Sequence, residues 1–391
     1  MVDKKLFLFT SMLITISIFF SYSLSTYIVV HFNYDPFHFA IRQAFFGLLS
    51  ITVMWSLAQL DPTIWLKRIG LSLFFGGMFL MMLMPFMPSF LVNEVGGAKR
   101  WIRLFGFSLA PVEFFKIGFV YFLAWSFSRK MGHHANMGMK EELKRFLPYG
   151  LVFIIVIFLI AIMQNDLGQV VVLSGTLLFL LLLSGSSFKF FLSLLSAGFG
   201  AVVLLILVAP HRIKRIESWW LSVQDSIIEL FPQSIASHLS IHSHEEPYQI
   251  GHSLNAISNG GFFGVGLGNG TFKLGFLSEV HTDFVLAGIA EEVGFFGLFI
   301  VTTIFLLILH RIFKLANRTT SHITYLFSAG VGMSIAFAFL INAYGISGMI
   351  PIKGISVPFL SYGGSSMIAA SIGIGMVLMA SKNIDLKKPL K

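Results

Sequence analysis

The run Val170-Val171-Val172-Leu173-Ser174-Gly175-Thr176-Leu177-Leu178-Phe179-Leu180-Leu181-Leu182-Leu183 decides the fold class, because more of the same follows it. From Val170 to Ala209 the chain carries a single charge, Lys189. A helix needs about 20 apolar residues to cross the hydrocarbon of a bilayer, so this region holds two crossings, 169–186 and 188–209. Working outward, the same rule places spans at 6–30, 39–60, 69–88, 109–128 and 148–164 before it, and at 283–309, 323–345 and 362–381 after it. The expected fold is an all-α polytopic membrane protein with ten transmembrane helices, forming a single domain over 1–391. One large loop, about 210–282, joins helices seven and eight.

Composition agrees. Of 391 residues, 56% are hydrophobic and 12% charged, against about 25% charged in soluble proteins. A soluble multidomain enzyme and a disordered chain are both excluded. There are no cysteines, which removes disulfides, thiol nucleophiles and Cys-ligated metals. The net charge of +9 would suggest nucleic acid in a soluble protein. Here the cations lie between apolar spans, so membrane topology accounts for them and no nucleic acid is implied.

With the N-terminus in the cytoplasm, cytoplasmic ends and loops hold 17 of the 27 basic residues and five acidic ones. The rest of the chain holds 10 basic and 13 acidic. That asymmetry obeys the positive-inside rule and puts both termini inside. The first span, too long for a signal-peptide core and without a small-residue cleavage site, is expected to be retained. On the outer face, His211 to Leu221 sets Ile213, Ile216, Trp219 and Trp220 near one helical face, as in a helix lying in the interface. The later half of that loop is glycine-rich, from Gly260 to Gly275.

Ionisable residues at membrane depth need a partner, water or a function. Glu113 and Lys116 share a helix face in the fourth span and can pair with each other. Asp166 lies between spans five and six, where it can cap the sixth helix or bind a ligand. Glu291 and Glu292 lie inside the eighth span and call for a partner helix or a polar cavity. At the outer end of that span stand Glu279, His281, Thr282 and Asp283. Thr282-Asp283 is an ordinary N-cap pattern, and equally a carboxylate at a water–lipid boundary, suited to general-base work. Three outer-face stretches are cationic: Lys99-Arg100-Trp101-Ile102-Arg103, Arg212 with Arg215, and Lys353. Snorkelling explains any one of them; together, beside an acid, they suit an anionic lipid headgroup such as a pyrophosphate. The glycine run Gly264-Val265-Gly266-Leu267-Gly268 follows no strand and is not read as a nucleotide loop. His238, His242 and His244 have metal-ligand spacing but fit a solvated loop tip better.

These stretches, in this order, resemble the SEDS family (shape, elongation, division and sporulation). Gly96 to Trp101 resembles GGA(R/K)RW, and Gln164 to Gly168 resembles QPDLG. Tyr248-Gln249, Ser253 to Ile257, the glycine run and Glu279 to Phe284 resemble the family's YQ, SL.AI and LPE.HTDF elements; Glu291 to Gly294 resembles EELG. Pro351 to Ser366 resembles LPTKG…PF.SYGGSS, and Lys353 within it favours the division branch over the elongation branch. Departures are Ala110-Pro111-Val112-Glu113 for QPSE, Asn165 for a Pro, Ser278 for a Pro, and a histidine-bearing stretch at about 221–246.

The resemblance implies a multi-pass protein of the bacterial cytoplasmic membrane. It implies polymerisation of lipid II into peptidoglycan glycan strands on the outer face, at the division septum. Asp283 matches the family's essential Asp and would be the base. Lys99, Arg100, Arg212, Arg215 and Lys353 would bind the pyrophosphate, with room for a divalent cation (Mg or Mn). Glu279, His281 and Gln249 would orient substrate or tune Asp283. The implied partners are a class B penicillin-binding transpeptidase and other divisome membrane proteins. A rival class is a proton-coupled flippase of lipid-linked precursor, which the buried acids Glu113, Asp166 and Glu291 would also fit. A third is a docking scaffold for the transpeptidase.

Overall fold

The computed structural model describes residues 2–95, 98–104, 107–130, 138–229, 240, 248–351 and 354–382. His238, His242, His244 and Lys353 lie outside the described residues. The first apolar span is broken at Ser25, giving α1 (Lys4–Leu24) and the short α2 (Thr26–His31). Then come α3 (His38–Gln59) and α4 (Pro62–Leu83), the latter started by Asp61, whose carboxylate accepts from the Thr63 N–H, with proline in its first turn. A small antiparallel sheet follows: β1 (Val92–Val95), β2 (Ala98–Leu104) and β3 (Phe107–Leu109), paired in that order. It carries the cationic stretch from Lys99 to Arg103 on a folded hairpin instead of a loose loop.

Next are α5 (Pro111–Lys130), α6 (Met139–Ile157), α7 (Leu167–Leu183) and α8 (Phe188–Leu207). The last turns of α6 widen into a π-helix, Phe158–Met163. Among its described residues, the region expected to be one large loop contains two helices, α9 (Pro210–Ile228) and α10 (Tyr248–Gly260), before the glycine-rich turns. The chain closes with α11 (Val285–Ala316), α12 (His322–Ile346) and α13 (Gly364–Ser381).

Eight of these helices are long and apolar enough to cross a membrane, and α7 is a shorter apolar helix. Polar residues on α5, Glu113 and Lys116 among them, dilute its hydropathy, yet α5 is buried along most of its length between α4, α12 and α13. A helix surrounded by other helices does not need an apolar surface of its own to sit at that depth. At the opposite extreme, α8 buries only Phe190 among its own residues.

Both described chain ends meet at one end of the bundle. Asp3 pairs with Arg311 of α11, and its N–H reaches the Ser381 hydroxyl at 3.3 Å.

Two findings differ from the sequence-based expectations. Thr282 and Asp283 do not cap α11: the N-cap is Phe284, and no side chain caps it. And α11 is interrupted at Gly294 (φ 68°, ψ −171°), a conformation that glycine adopts without a steric penalty. The backbone groups freed there are taken up by the glycine-rich turns. Val265 and Gly266 N–H groups donate to Glu291 and Glu292 carbonyls at 3.0 Å, and Phe295 and Phe296 N–H groups donate to Gly261 and Phe262 carbonyls at 2.9 and 3.0 Å. Irregular backbone beside a membrane span is stable when its polar groups are satisfied in this way.

Candidate functional site

At the end of the bundle opposite the two termini, a cavity of about 1030 Å³ opens among the starts of α3, α7, α11 and α13, the β2–β3 hairpin and α9. Asp283 lines it, half-buried, in the turn just before α11. That turn is built by Glu279, whose backbone sits at φ 56° and whose carbonyl accepts the Thr282 and Asp283 N–H groups at 3.0 Å. Asn342 of α12 ties it down from below. Its amide donates to the Asp283 carbonyl at 2.6 Å and to the Ile355 carbonyl at 2.7 Å. The Ser361 hydroxyl donates to the Thr282 carbonyl at 2.6 Å, and the Tyr362 N–H donates to the His281 carbonyl at 2.9 Å. The segment 354–366 therefore forms the wall against which the Asp283 turn is braced.

Burial, reinforced by the nearby Glu279 and Asp166 carboxylates, pushes the Asp283 carboxyl up to about 6; Arg100 and Arg215 pull in the other direction. Burial likewise raises Asp166, against the pull of Arg100. Such a carboxylate is ionised near neutrality yet basic enough to accept a proton from a hydroxyl group. His281 is buried outside the cavity, its ring edge-on to Phe39 and 5.5 Å from the Tyr362 ring. Burial lowers its pKa, opposed by Glu279, and favours the neutral ring.

Among the described residues, the cavity's cations come from three elements, α3, β2 and α9. Arg100 lines it from β2 while donating to the Gln164 and Asn165 carbonyls at 2.8 and 2.7 Å, and stands 4.0 Å from Asp166. Arg212 is buried: it donates to Ala161 and Leu205 carbonyls at 2.6 Å, satisfying groups that the π-helix and the end of α8 leave open. Arg215 and Lys214 are exposed on the cavity wall. Arg42 on α3 was not singled out from the sequence. It lines the same cavity, and its guanidinium hydrogen-bonds the Tyr362 phenol. The signal was there, an arginine at the start of an apolar span, but one charge at a span end is ordinary snorkelling.

Other expected residues are distributed as follows. Gln249 lines the cavity and donates to the Ser278 hydroxyl at 3.1 Å; Glu279 lines it as well. Lys99 turns away from the cavity to the Pro85 carbonyl at 3.2 Å. Glu113 reaches the cavity floor, paired with Lys116 at 2.8 Å and accepting from the Gln169 amide at 2.8 Å. Asp166 both lines the cavity and accepts the Gln169 N–H at 3.2 Å as the N-cap of α7. Glu291 is remote from the cavity lining; one of its carboxylate oxygens accepts from Thr271 and Phe272 N–H groups at 2.7 and 3.1 Å. Among the described residues, no three His, Cys, Asp or Glu side chains converge as a metal site. A divalent cation would therefore need ligand oxygens from outside the protein beside the protein carboxylates.

A family model described as "Cell cycle protein", covering FtsW, RodA and SpoVE, matches residues 4–385. The chain belongs to that family. A relative from Helicobacter pylori (strain ATCC 700392 / 26695), named "Probable peptidoglycan glycosyltransferase FtsW", is 48% identical over 381 residues, 97% of this chain and 98% of the relative. One of the same name from Escherichia coli O157:H7 is 32% identical, over 90% of this chain and 80% of that protein. Rod shape determining protein RodA from Thermus thermophilus shares the fold, with a TM-score of 0.67 at 21% identity, covering 98% of this chain and 97% of that one. So does a chain from a study of the structural coordination of polymerization and crosslinking by a peptidoglycan synthase complex, with a TM-score of 0.71 at 22% identity over 98% of both chains. The chain is thus a multi-pass membrane protein with a RodA-like fold.

Proposed function

We propose that this chain polymerises lipid II into the glycan strands of peptidoglycan, at the outer face of the bacterial cytoplasmic membrane, with Asp283 as general base. The enzyme class follows from the family and from relatives named as peptidoglycan glycosyltransferases. The observation that supports the assignment of the base is the placement of Asp283. A carboxylate with a raised pKa faces a cavity of about 1030 Å³ at the end of the bundle opposite the termini, beside cations from several elements.

In this reading the acceptor's 4-hydroxyl gives its proton to Asp283 as it attacks the donor's anomeric carbon, and the C–O bond to the polyprenyl pyrophosphate breaks. The leaving pyrophosphate takes the electron pair, and Arg215, Lys214, Arg42 and Arg100, which line the cavity, would hold it; Lys353 is given the same role from the family resemblance alone. Arg212 acts through the backbone it fixes. A bound Mg or Mn would add charge neutralisation at the same oxygens. The lipid tails stay among the helices while the sugars occupy the cavity.

The proposed topology counts ten crossings: α1 with α2, α3, α4, α5, α6 with its π-turns, α7, α8, α11, α12 and α13. The basic-residue asymmetry puts both termini in the cytoplasm. A role at the septum, with a class B penicillin-binding transpeptidase as partner, is proposed from the relatives' names and from the peptidoglycan synthase complex of like fold.

The test is a polymerisation assay in liposomes with labelled lipid II and a transpeptidase partner that makes no glycan itself. Glycan strands support the reading. Movement of lipid II between leaflets with no polymer would replace it by the flippase.

A further inference from the structure

The stretch from Thr271 to Glu292 is tied into a closed loop by side chains at its base. Lys273 Nζ lies 2.6 Å from Glu292 Oε1, and both side chains are fully buried, at 1% and 0% exposure. The Ser23 hydroxyl of α1 donates to both Glu292 oxygens at 2.6 and 2.7 Å and accepts from Lys273 at 3.2 Å. Beside this pair, Glu291 holds the Thr271 and Phe272 N–H groups. Between Lys273 and Val285 there is no helix or strand, only turns, such as the Leu277 N–H to Phe272 carbonyl bond at 2.8 Å. Asp283 sits on the far turn of this loop.

Burying a lysine and a glutamate at membrane depth is costly even when they are paired. Apolar side chains would fill the same space more cheaply, so the pair calls for a specific role. We propose that Lys273, Glu292 and Ser23 are positioning residues that set where the Asp283 turn stands relative to the cavity, by fixing the start of its loop to α11 and α1. This deepens the reading of Asp283 as the base and rests on it. Of the loop's other braces, Asn342, Ser361 and Tyr362 hold carbonyls of the turn, and Gln249 holds the Ser278 hydroxyl. None of them ties the start of the loop to the helices, which the Lys273–Glu292–Ser23 contacts do. The groups that face Asp283 and set its protonation are Glu279 on the same loop, Asp166 from the α6–α7 elbow, Arg100 of β2 and Arg215 of α9. None of them belongs to the pair, so the pair acts by geometry and not by its own charge.

The experiment compares wild type with Lys273→Met/Glu292→Gln, Lys273→Arg and Ser23→Ala in the full chain, with thermal unfolding measured on each. The double variant removes both charges together and leaves none buried alone, and Ser23→Ala keeps a foldable variant should the double one fail. The expected result is a kcat lower on the order of 10-fold to 100-fold for the double variant, the scale of a small misplacement of a catalytic group. KM should stay within about twofold, and Lys273→Arg should restore most of the rate. The acid limb of the pH–rate profile should move down from about 6 toward the ordinary carboxylate value of 3.8 as the displaced Asp283 gains water.

Carbodiimide labelling of Asp283, followed against pH by mass spectrometry, reads the same shift without turnover. If wild type itself makes no polymer, the functional reading fails while the labelling still decides the positioning. A folded double variant with wild-type kcat, or with an unshifted labelling midpoint, overturns the proposal.

Discussion

The backbone of Gly354, at φ 60°, lies so close to Asp283 that a methyl group built on its Cα would stand 3.1 Å from the carboxylate Oδ2. Two demands meet at that position: a left-handed backbone, and room beside the proposed base. Gly354→Ala is expected to fold with a stability loss of about 1 kcal/mol from the positive φ. If Asp283 is the base, the substitution should lower kcat more than that loss would suggest, because the new methyl presses on the Asp283 carboxylate. Thermal unfolding alongside steady-state rates checks both halves.

Asp283→Asn should be more stable than wild type while inactive. A carboxyl whose folded-state pKa is raised to about 6 from 3.8 contributes stability that is present at low pH and lost as pH rises through 6. Above that pH the ionised group costs folding free energy, and the neutral amide removes the cost. The gain is expected on the order of 1–3 kcal/mol near neutrality and should vanish toward pH 4. Melting temperatures of both forms across that range measure it.

Arg212 and Arg215, three residues apart on α9, should separate in their effects. Arg212→Ala leaves the Ala161 and Leu205 carbonyls without their donors, so it should destabilise by about 1–3 kcal/mol. Arg215→Ala removes an exposed cation from the cavity wall. It should leave melting unchanged, weaken substrate capture and reduce the dependence of kcat/KM on ionic strength.

Asn342→Leu removes one amide that serves two carbonyls, those of Asp283 and Ile355. Loss of stability by about 1–3 kcal/mol is expected, with a fall in kcat because the Asp283 turn loses its brace. Asn342→Asp should be worse than Leu, since a carboxylate facing two carbonyl oxygens repels both. Rates and unfolding of the pair of variants give the comparison.

Much of this arrangement was legible before any coordinates. The charge-poor run from Val170 to Ala209 shows a membrane protein by length alone. The outer-end polar cluster marked Asp283, and the Glu113–Lys116 spacing marked an ion pair that is present at 2.8 Å. What stayed hidden depends on contacts far apart in sequence. Lys273 is one lysine in a glycine-rich stretch, and only the fold brings it to Glu292 and, 250 residues away, to Ser23. Arg212 reads as a free cation until the π-helix it satisfies is seen. The capping pattern of Thr282-Asp283 misleads because the turn on Glu279 carries those residues outside α11. Local preference gave way there to the bracing from Asn342 and Ser361.

The measurement that bears most directly on the central claim is the pH dependence of lipid II polymerisation by wild type, set beside Asp283→Asn verified as folded. The account predicts a rate that falls tenfold per unit below about pH 6 as Asp283 takes up its proton. It predicts a loss of at least about 10²-fold in the asparagine variant with no remaining acid limb. Polymerisation by Asp283→Asn at a near wild-type rate, with the same acid limb, would contradict it.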